Sequence, residues 1–87
     1  MASSISQIKQ QVNQIGQQAT SLAVQLAQLA KNLEKNTTAI NSAIGGTSSG
    51  EDKTMIASFQ QAGQAVKNAS TSLQAAAKAA KDWAAKA

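Results

Sequence analysis

Apolar side chains recur along most of this chain at alternating steps of three and four residues. In the first half the series runs from Ile5 to Ala43, with Asn36 as its single polar member. This spacing places every member on one narrow face of an α-helix, which is the pattern of a heptad repeat. The repeat therefore predicts an all-α fold built from long helices that pack along a shared seam.

We label the heptad positions a to g, with Ile5 at a. The a positions of the first half carry mostly aliphatic side chains: Ile5, Val12, Ala19, Leu26, Leu33 and Ile40. The d positions carry a second set: Ile8, Ile15, Leu22, Leu29, Asn36 and Ala43. We expect a and d to form the seam of one helix over residues 4–44. Asn36, the polar member, either sets the register of the seam or lies at a wet end of it.

The second half repeats the pattern with smaller side chains and predicts a second helix over residues 51–86. Its expected seam is Met55, Phe59, Ala62, Val66, Ala69, Leu73, Ala76, Ala80, Trp83 and Ala87. Alanine on this helix faces leucine and isoleucine on the first, which lets two helices approach closely and interdigitate.

The segment between the two runs carries a stop signal followed by a start signal. Gly45 and Gly46 can adopt the left-handed conformation that closes a helix, and Ser48 with Glu51 forms a capping-box pattern. Residues 45–50 are therefore predicted to be a turn, which makes the whole chain, residues 1–87, a single antiparallel two-helix hairpin.

Pairing the helices about this turn brings together residues whose numbers sum to roughly 95. The predicted pairs are Leu22 with Leu73, Leu26 with Ala69, and Val12 with Trp83. Gly16 then lies one turn from Val12 and makes room for the indole of Trp83. If the indole is buried in the seam, Trp83→Ala should lower the free energy of unfolding by roughly 3 to 5 kcal/mol. A loss of less than about 1 kcal/mol would place Trp83 at the surface and make it a candidate partner contact instead.

The e positions beside the predicted seam form a face of small residues. The members expected to contact a partner are Gly16, Ala23, Ala30, Gly63 and Ala77. Such a face suits the close approach of another helical pair, although alanine and glycine can also serve only helix propensity and solubility. Because two helices alone bury little apolar surface, we expect a four-helix bundle formed as a homodimer or with a different protein.

The composition argues against an enzyme, a metal or cofactor site, and nucleic-acid binding. The chain has no cysteine or histidine and only four acidic residues, so we predict no enzyme, no metal site and no cofactor. Its net charge of +4 comes from eight lysines without arginine, and Phe59 and Trp83 are the only aromatic residues. Nucleic-acid binding is therefore not expected, because arginine forks and stacking aromatics are missing.

No segment resembles a signal peptide or a membrane span. The N-terminal residues lack a basic segment followed by an apolar run, and no window reaches about 18 apolar residues. We therefore expect no stable membrane insertion. We expect a cytoplasmic protein that, if exported, leaves without a cleaved signal peptide.

The hairpin resembles the WXG family, the early secreted antigenic target-like small proteins of type VII secretion. The resemblance lies in a chain of under a hundred residues without cysteine or proline, with two long helices about a glycine-containing turn. It implies a non-enzymatic interaction protein, similar to the helical partners of LXG-type toxins.

Two family motifs are missing. The turn reads Ile44, Gly45, Gly46 in place of Trp-x-Gly, and neither Phe59 nor Trp83 is followed four residues later by an acid. The resemblance then implies that a partner supplies the export element and that this chain is a targeting adaptor, a chaperone, or half of a dimer.

Three other functions are alternatives. A needle-like secretion subunit usually carries proline in its turn, and this chain has none. Membrane-surface binding needs a broad apolar face with lysine at its border, whereas the bulky residues here form a narrow seam with the lysines on its far side. A structural homo-oligomeric coiled coil usually carries complementary charges at e and g, and this chain has almost none there.

Overall fold

The protein is an antiparallel pair of α-helices, seen in a computed structural model that describes residues 4–44 and 50–87. Helix α1 spans Ile5–Ile44 and helix α2 spans Gly50–Lys86. The two helices pack against each other, which confirms the predicted all-α hairpin. Their ends lie within one residue of the predicted bounds. Gly45, Gly46 and the Ser48 side of the predicted capping box lie outside the described residues.

Helix α1 begins at a capping box that the sequence analysis did not single out. The hydroxyl oxygen of Ser4 accepts a hydrogen bond from the amide of Gln7 at 3.2 Å. The side-chain oxygen of Gln7 accepts one in return from the amide of Ser4 at 3.3 Å. The pair satisfies two amides that the helix start would otherwise leave without partners.

The register of the two helices is close to the predicted one. Ser70 of α2 donates a hydrogen bond from its hydroxyl to the carbonyl oxygen of Ala23 of α1 at 2.7 Å. Further towards the turn, a Cβ at Gly63 would lie 3.7 Å from the Cβ of Leu33. Both pairs have numbers that sum to within two of 95, so the helices are aligned as expected.

The face that α1 turns towards α2 differs from the prediction. The buried residues lie at the e positions and form what we call the small-residue seam: Gly16, Ala23, Ala30, Thr37, Gly63, Ser70 and Ala77. The a positions beside them are half-buried: Val12, Ala19, Leu26, Leu33, Ile40, Phe59, Val66, Leu73 and Ala80. The helices therefore meet along a and e, and the predicted a and d seam is wrong.

Small side chains explain this choice because they let the two backbones come close. A Cβ added to Gly16 would lie 3.3 Å from the carbonyl oxygen of Ala77, a tight contact with the backbone of the other helix. Ala23 is completely inaccessible to solvent. Thr37 directs its hydroxyl to the carbonyl of Leu33 at 2.9 Å, so its burial leaves no donor unpaired.

The predicted place of Trp83 is also corrected. Its side chain lies at a d position and remains 43% exposed, outside the seam that it was expected to share with Val12. The atoms nearest to a Cβ at Gly16 belong to Ala77, Ala80 and Lys81. Gly16 therefore makes room for the α2 backbone and not for the indole.

The other two predicted pairs fail for the same reason. Leu22 is 51% exposed, and Ala69 is exposed as well. The correct register thus comes with helices that are rotated about their own axes relative to the prediction.

Candidate protein-binding surface

The d positions left outside the hairpin seam form a long exposed strip, which we call the apolar stripe. It consists of Ile15, Leu22, Leu29, Met55, Ala62, Ala69, Ala76 and Trp83. Its five bulky members are each at least 39% exposed. Bulky side chains thus remain exposed along this stripe, while the buried positions between the helices hold only glycine, alanine, serine and threonine.

Helical geometry puts the two halves of the stripe on the same side of the molecule. Each residue turns the helix by about 100°, so a d position lies about 80° from the midpoint between a and e. Because α1 and α2 are antiparallel and both contact through a and e, their d positions point to the same side. The stripe is therefore one continuous surface that both helices share.

The border of the stripe carries polar but mostly uncharged side chains. The g positions along it are Gln11, Gln18, Gln25, Asn32, Ser58, Ala65, Ser72 and Ala79. No member of the stripe is charged. Another surface can therefore come into contact here without burying an ionised group.

The opposite side of the hairpin, at the b positions, is polar and charged. Glu34 lies there on α1, and Lys53, Lys67 and Lys81 lie there on α2. The amino group of Lys81 donates a hydrogen bond to the hydroxyl oxygen of Thr20 at 3.3 Å across the two helices. The two sides of the hairpin thus differ clearly in chemistry, and the charged one suits water.

An ion pair elsewhere on α2 is local to that helix. Lys78 donates from Nζ to Oδ2 of Asp82 at 2.6 Å. This hydrogen bond, together with the attraction of the carboxylate, raises the pKa of Lys78 above its ordinary value. Both groups are exposed at f and c positions, so the pair does not contribute to the apolar stripe.

The structure gives the predicted partner-binding residues different roles. Gly16, Ala23, Ala30, Gly63 and Ala77 are buried between α1 and α2, so the prediction that they wait for a second helical pair is corrected. Trp83, by contrast, lies on the apolar stripe. The predicted turn residues Gly45 and Gly46 lie outside the described residues.

Sequence reasoning missed the role of the other stripe residues and of Ser70. The apolar repeat alone predicts Leu22 and Leu29 in the core. Ser70 lies at an e position, and nothing in the sequence distinguishes its hydroxyl from those of other serines. Its hydrogen bond to the carbonyl of Ala23 shows that it joins the two helices.

Two kinds of feature are absent from the described residues. Within residues 4–44 and 50–87, no group of three or more acidic, histidine or cysteine side chains could hold a metal ion. Neither described helix has a segment long and apolar enough to cross a membrane.

The accessible surface of the whole hairpin is unusually large. It amounts to 6172 Å². A compact monomer of 8.9 kDa would expose about 4,800 Å². No large side chain among the described residues is fully buried. The hairpin thus exposes over a thousand Å² more than a compact monomer of the same mass, as its elongated shape requires.

No protein-family model, curated protein or solved structure matches this chain.

Proposed function

We propose that this chain is a non-enzymatic protein–protein interaction module whose apolar stripe receives the helices of another polypeptide. The observation that carries the proposal is the exposure of five bulky side chains along one uncharged side of the hairpin. Large contiguous apolar surfaces on small proteins mark interaction sites. Two more helices on the stripe would complete a four-helix bundle.

The form of the stripe supports a helical partner. Its members recur every seven residues on both α1 and α2 and extend over about 42 Å from Met55 to Trp83. A straight surface with this period matches another helix that has the same repeat over its whole length. A compact globular partner would meet only part of it.

The proposal extends to a biological setting, type VII secretion. There the chain acts as a small secreted protein, or as a targeting adaptor or chaperone that binds a helical toxin domain of the LXG type. The hairpin architecture and the small size support this setting. The lack of both Trp-x-Gly and the C-terminal aromatic-acid pair favours a role in which the partner carries the export element. In this setting the chain resides in the cytoplasm before export.

Co-expression tests this function directly. The chain is produced together with the helical domain of an LXG-type toxin from the same bacterium, and the mass of the purified complex is measured. We expect a defined complex that Leu22→Gln weakens. Val24→Gln is the matched control, because Val24 is 63% exposed at an f position away from the stripe.

Secretion gives the second readout. Deleting the gene from a bacterium that carries it should remove the toxin from the culture medium while the toxin remains in the cells. Restoring the wild-type gene, but not the Leu22→Gln gene, should restore secretion. Normal secretion without the gene, together with no complex, would refute the assignment to this pathway.

A further inference from the structure

We infer that the side of the hairpin opposite the apolar stripe is a second binding surface, which takes an extended acidic segment of a polypeptide. The surface is a groove between the two helices, which we call the basic groove. Its walls are b and f positions of α1 and α2, and its floor is the small-residue seam. The inference does not depend on the proposed function, which uses the other side of the molecule.

The floor of the basic groove follows from the way the helices meet. Both helices contact through a and e, and e lies about 40° from a in the direction of b. The e side chains therefore face away from the stripe, and they are short. Two recesses open above them: one of about 360 Å³ has Ala30 and Ser70 in its lining, and one of about 320 Å³ has Ala84. A chain with a slim backbone can come close to such a floor.

Each recess is lined by one lysine from each helix. Lys31 and Lys67 line the recess at Ser70, and Lys9 and Lys81 line the recess at Ala84. None of these four ammonium groups forms an ion pair with a described residue. Each recess therefore presents two positive charges, from opposite walls, that a ligand carboxylate could approach together.

The charge of the chain is concentrated on this part of the rod. The portion from Lys31 and Gln64 to the end where Ser4 and Lys86 lie holds six lysines and one acidic residue. The remaining portion, towards Ile44, holds two lysines and three acidic residues. The net charge of +4 thus belongs to the part that contains both recesses, and its field attracts anions there.

Glu34 is the one acidic residue that lines the recess at Ser70. It lies on the same wall as Lys31 but is not within ion-pairing distance of Lys31 or Lys67. Its carboxylate opposes a second anion in this recess. It therefore provides a test of the opposite sign, since removing its charge should favour the ligand that the lysines attract.

The other wall residues favour a polypeptide as the anion. Gln74 lines the recess at Ser70, and Gln10 and Asn13 line the recess at Ala84. A side-chain carboxamide donates and accepts hydrogen bonds as a peptide group does, so it can pair with an extended backbone. Neither recess is lined by arginine or an aromatic residue, which nucleic-acid binding usually requires. Neither has a bulky aliphatic residue that would receive the apolar face of a helix.

The spacing of the two recesses sets the spacing of the acidic residues in the ligand. Lys67 and Lys81 are 14 residues apart on α2, which is about 21 Å along the helix. An extended peptide advances about 3.4 Å per residue, so about six residues cover this distance. Side chains six residues apart lie on the same face of an extended chain. We therefore expect two acidic clusters about six residues apart.

Fluorescence anisotropy of a labelled peptide measures the binding. The probe has about twelve residues of glycine, serine and threonine, with two pairs of glutamates whose centres are about six residues apart. The titration is done in 0.1 M salt, where charges more than about 10 Å away are largely screened. We expect saturable binding of one peptide per chain that weakens as salt is added. No saturable binding overturns the inference.

Single substitutions test the location of the site. Lys67→Gln and Lys81→Gln should each raise the dissociation constant about threefold, and together about tenfold, because the two sites are far enough apart to act independently. Glu34→Gln should lower it about twofold. Lys35→Gln is the matched control, since Lys35 lies at a c position on the outer face of α1. If Lys35→Gln weakens binding as much as Lys67→Gln, the peptide responds only to net charge and the groove is refuted.

Two other probes test the kind of ligand. A peptide of the same composition with its four glutamates adjacent should bind about threefold more weakly, because it reaches only one recess. Single-stranded DNA with four phosphates should bind more weakly than the spaced peptide. Equal binding of the two peptides, or tighter binding of the DNA, overturns the assignment of an extended acidic polypeptide. Leu22→Gln should leave peptide binding unchanged, so this site and the apolar stripe can fail separately.

Discussion

Gly16 and Gly63 are both buried in the small-residue seam, yet a side chain would meet different surroundings at each. A Cβ at Gly16 would lie 3.2 Å from Cγ of Lys81 and 3.3 Å from the carbonyl oxygen of Ala77. At Gly63 the nearest atom is the Cβ of Leu33 at 3.7 Å, an ordinary contact distance. Close approach of the helices therefore depends on one of these glycines more than on the other.

Alanine substitutions at Gly16 and Gly63 should show at which of the two positions the close approach of the helices requires glycine. Gly63→Ala gains helix propensity without a clash and should stabilise the protein by about 0.5–1 kcal/mol. Gly16→Ala gains the same propensity but must push back the backbone of α2, so it should stabilise less or destabilise. Urea unfolding followed by helicity, at one fixed protein concentration, measures both. An equal gain at Gly16 would mean that the helices are not held as close there as the structure has them.

At the scale of single residues, the sequence predicts which positions are apolar but not which way they point. Leu22 and Ala23 are neighbours in the chain, and both are compatible with a core. The alanine is buried and the leucine is exposed because the hairpin is held together by backbone proximity, which a leucine would prevent. Hydrophobicity ranks them in the opposite order, so the orientation could not be read from it.

The first turn of helix α1 is held by a capping box, which opposes fraying of the helix end. The reciprocal bonds between Ser4 and Gln7 satisfy two amides at a terminus that has no acidic residue in its first turn to complement the helix dipole. Helix α2 has Glu51 and Asp52 in its first turn instead. The two helices thus stabilise their starts by different means.

Ser4→Ala should destabilise the protein by about 1 kcal/mol, because an N-cap side chain of this kind contributes roughly that amount. Ser6→Ala is the control, since Ser6 lies inside α1 on an exposed b position. Thermal unfolding followed by helicity compares the two variants. If Ser6→Ala costs as much as Ser4→Ala, the capping box does not hold the start of α1.

At the scale of the elements, the bounds of both helices and their register were predictable, whereas their rotation was not. The heptad spacing sets the number of turns, and the break between Ile44 and Gly50 sets the alignment. Positions d, a and e lie side by side on each helix, and all three carry apolar or small residues. The repeat therefore allows an a and d seam as well as an a and e seam, and only the close fit of Gly16 and Ser70 across the helices selects the second.

The whole molecule is a thin rod of 66 by 21 by 17 Å with one apolar side. The sequence predicts a free face on the small residues, but the structure places it on the large ones. A free apolar surface is expected because two helices of a short chain cannot surround their own large side chains. Its location depends on the rotation of the helices, which the repeat leaves open.

Trp83 reports on the whole assembly because it is the only tryptophan. In the hairpin its indole is 43% exposed, and it lies on the apolar stripe that the proposed partner would cover. Its fluorescence should therefore shift to shorter wavelength when the partner binds. Leu22→Gln should keep the long-wavelength emission at partner concentrations that shift the emission of the wild-type chain. Emission that does not change, although the measured mass shows that the complex forms, would place Trp83 outside the interface.

The absence of a fully buried large side chain from the described residues bears on the lifetime of the protein in a cell. With the partner that the proposed function requires, the fraction of the chain that is folded would rise with the abundance of that partner. Copies without the partner would be open to proteases, which cleave the unfolded form. The proposed function therefore predicts that the protein accumulates only where its partner is also made.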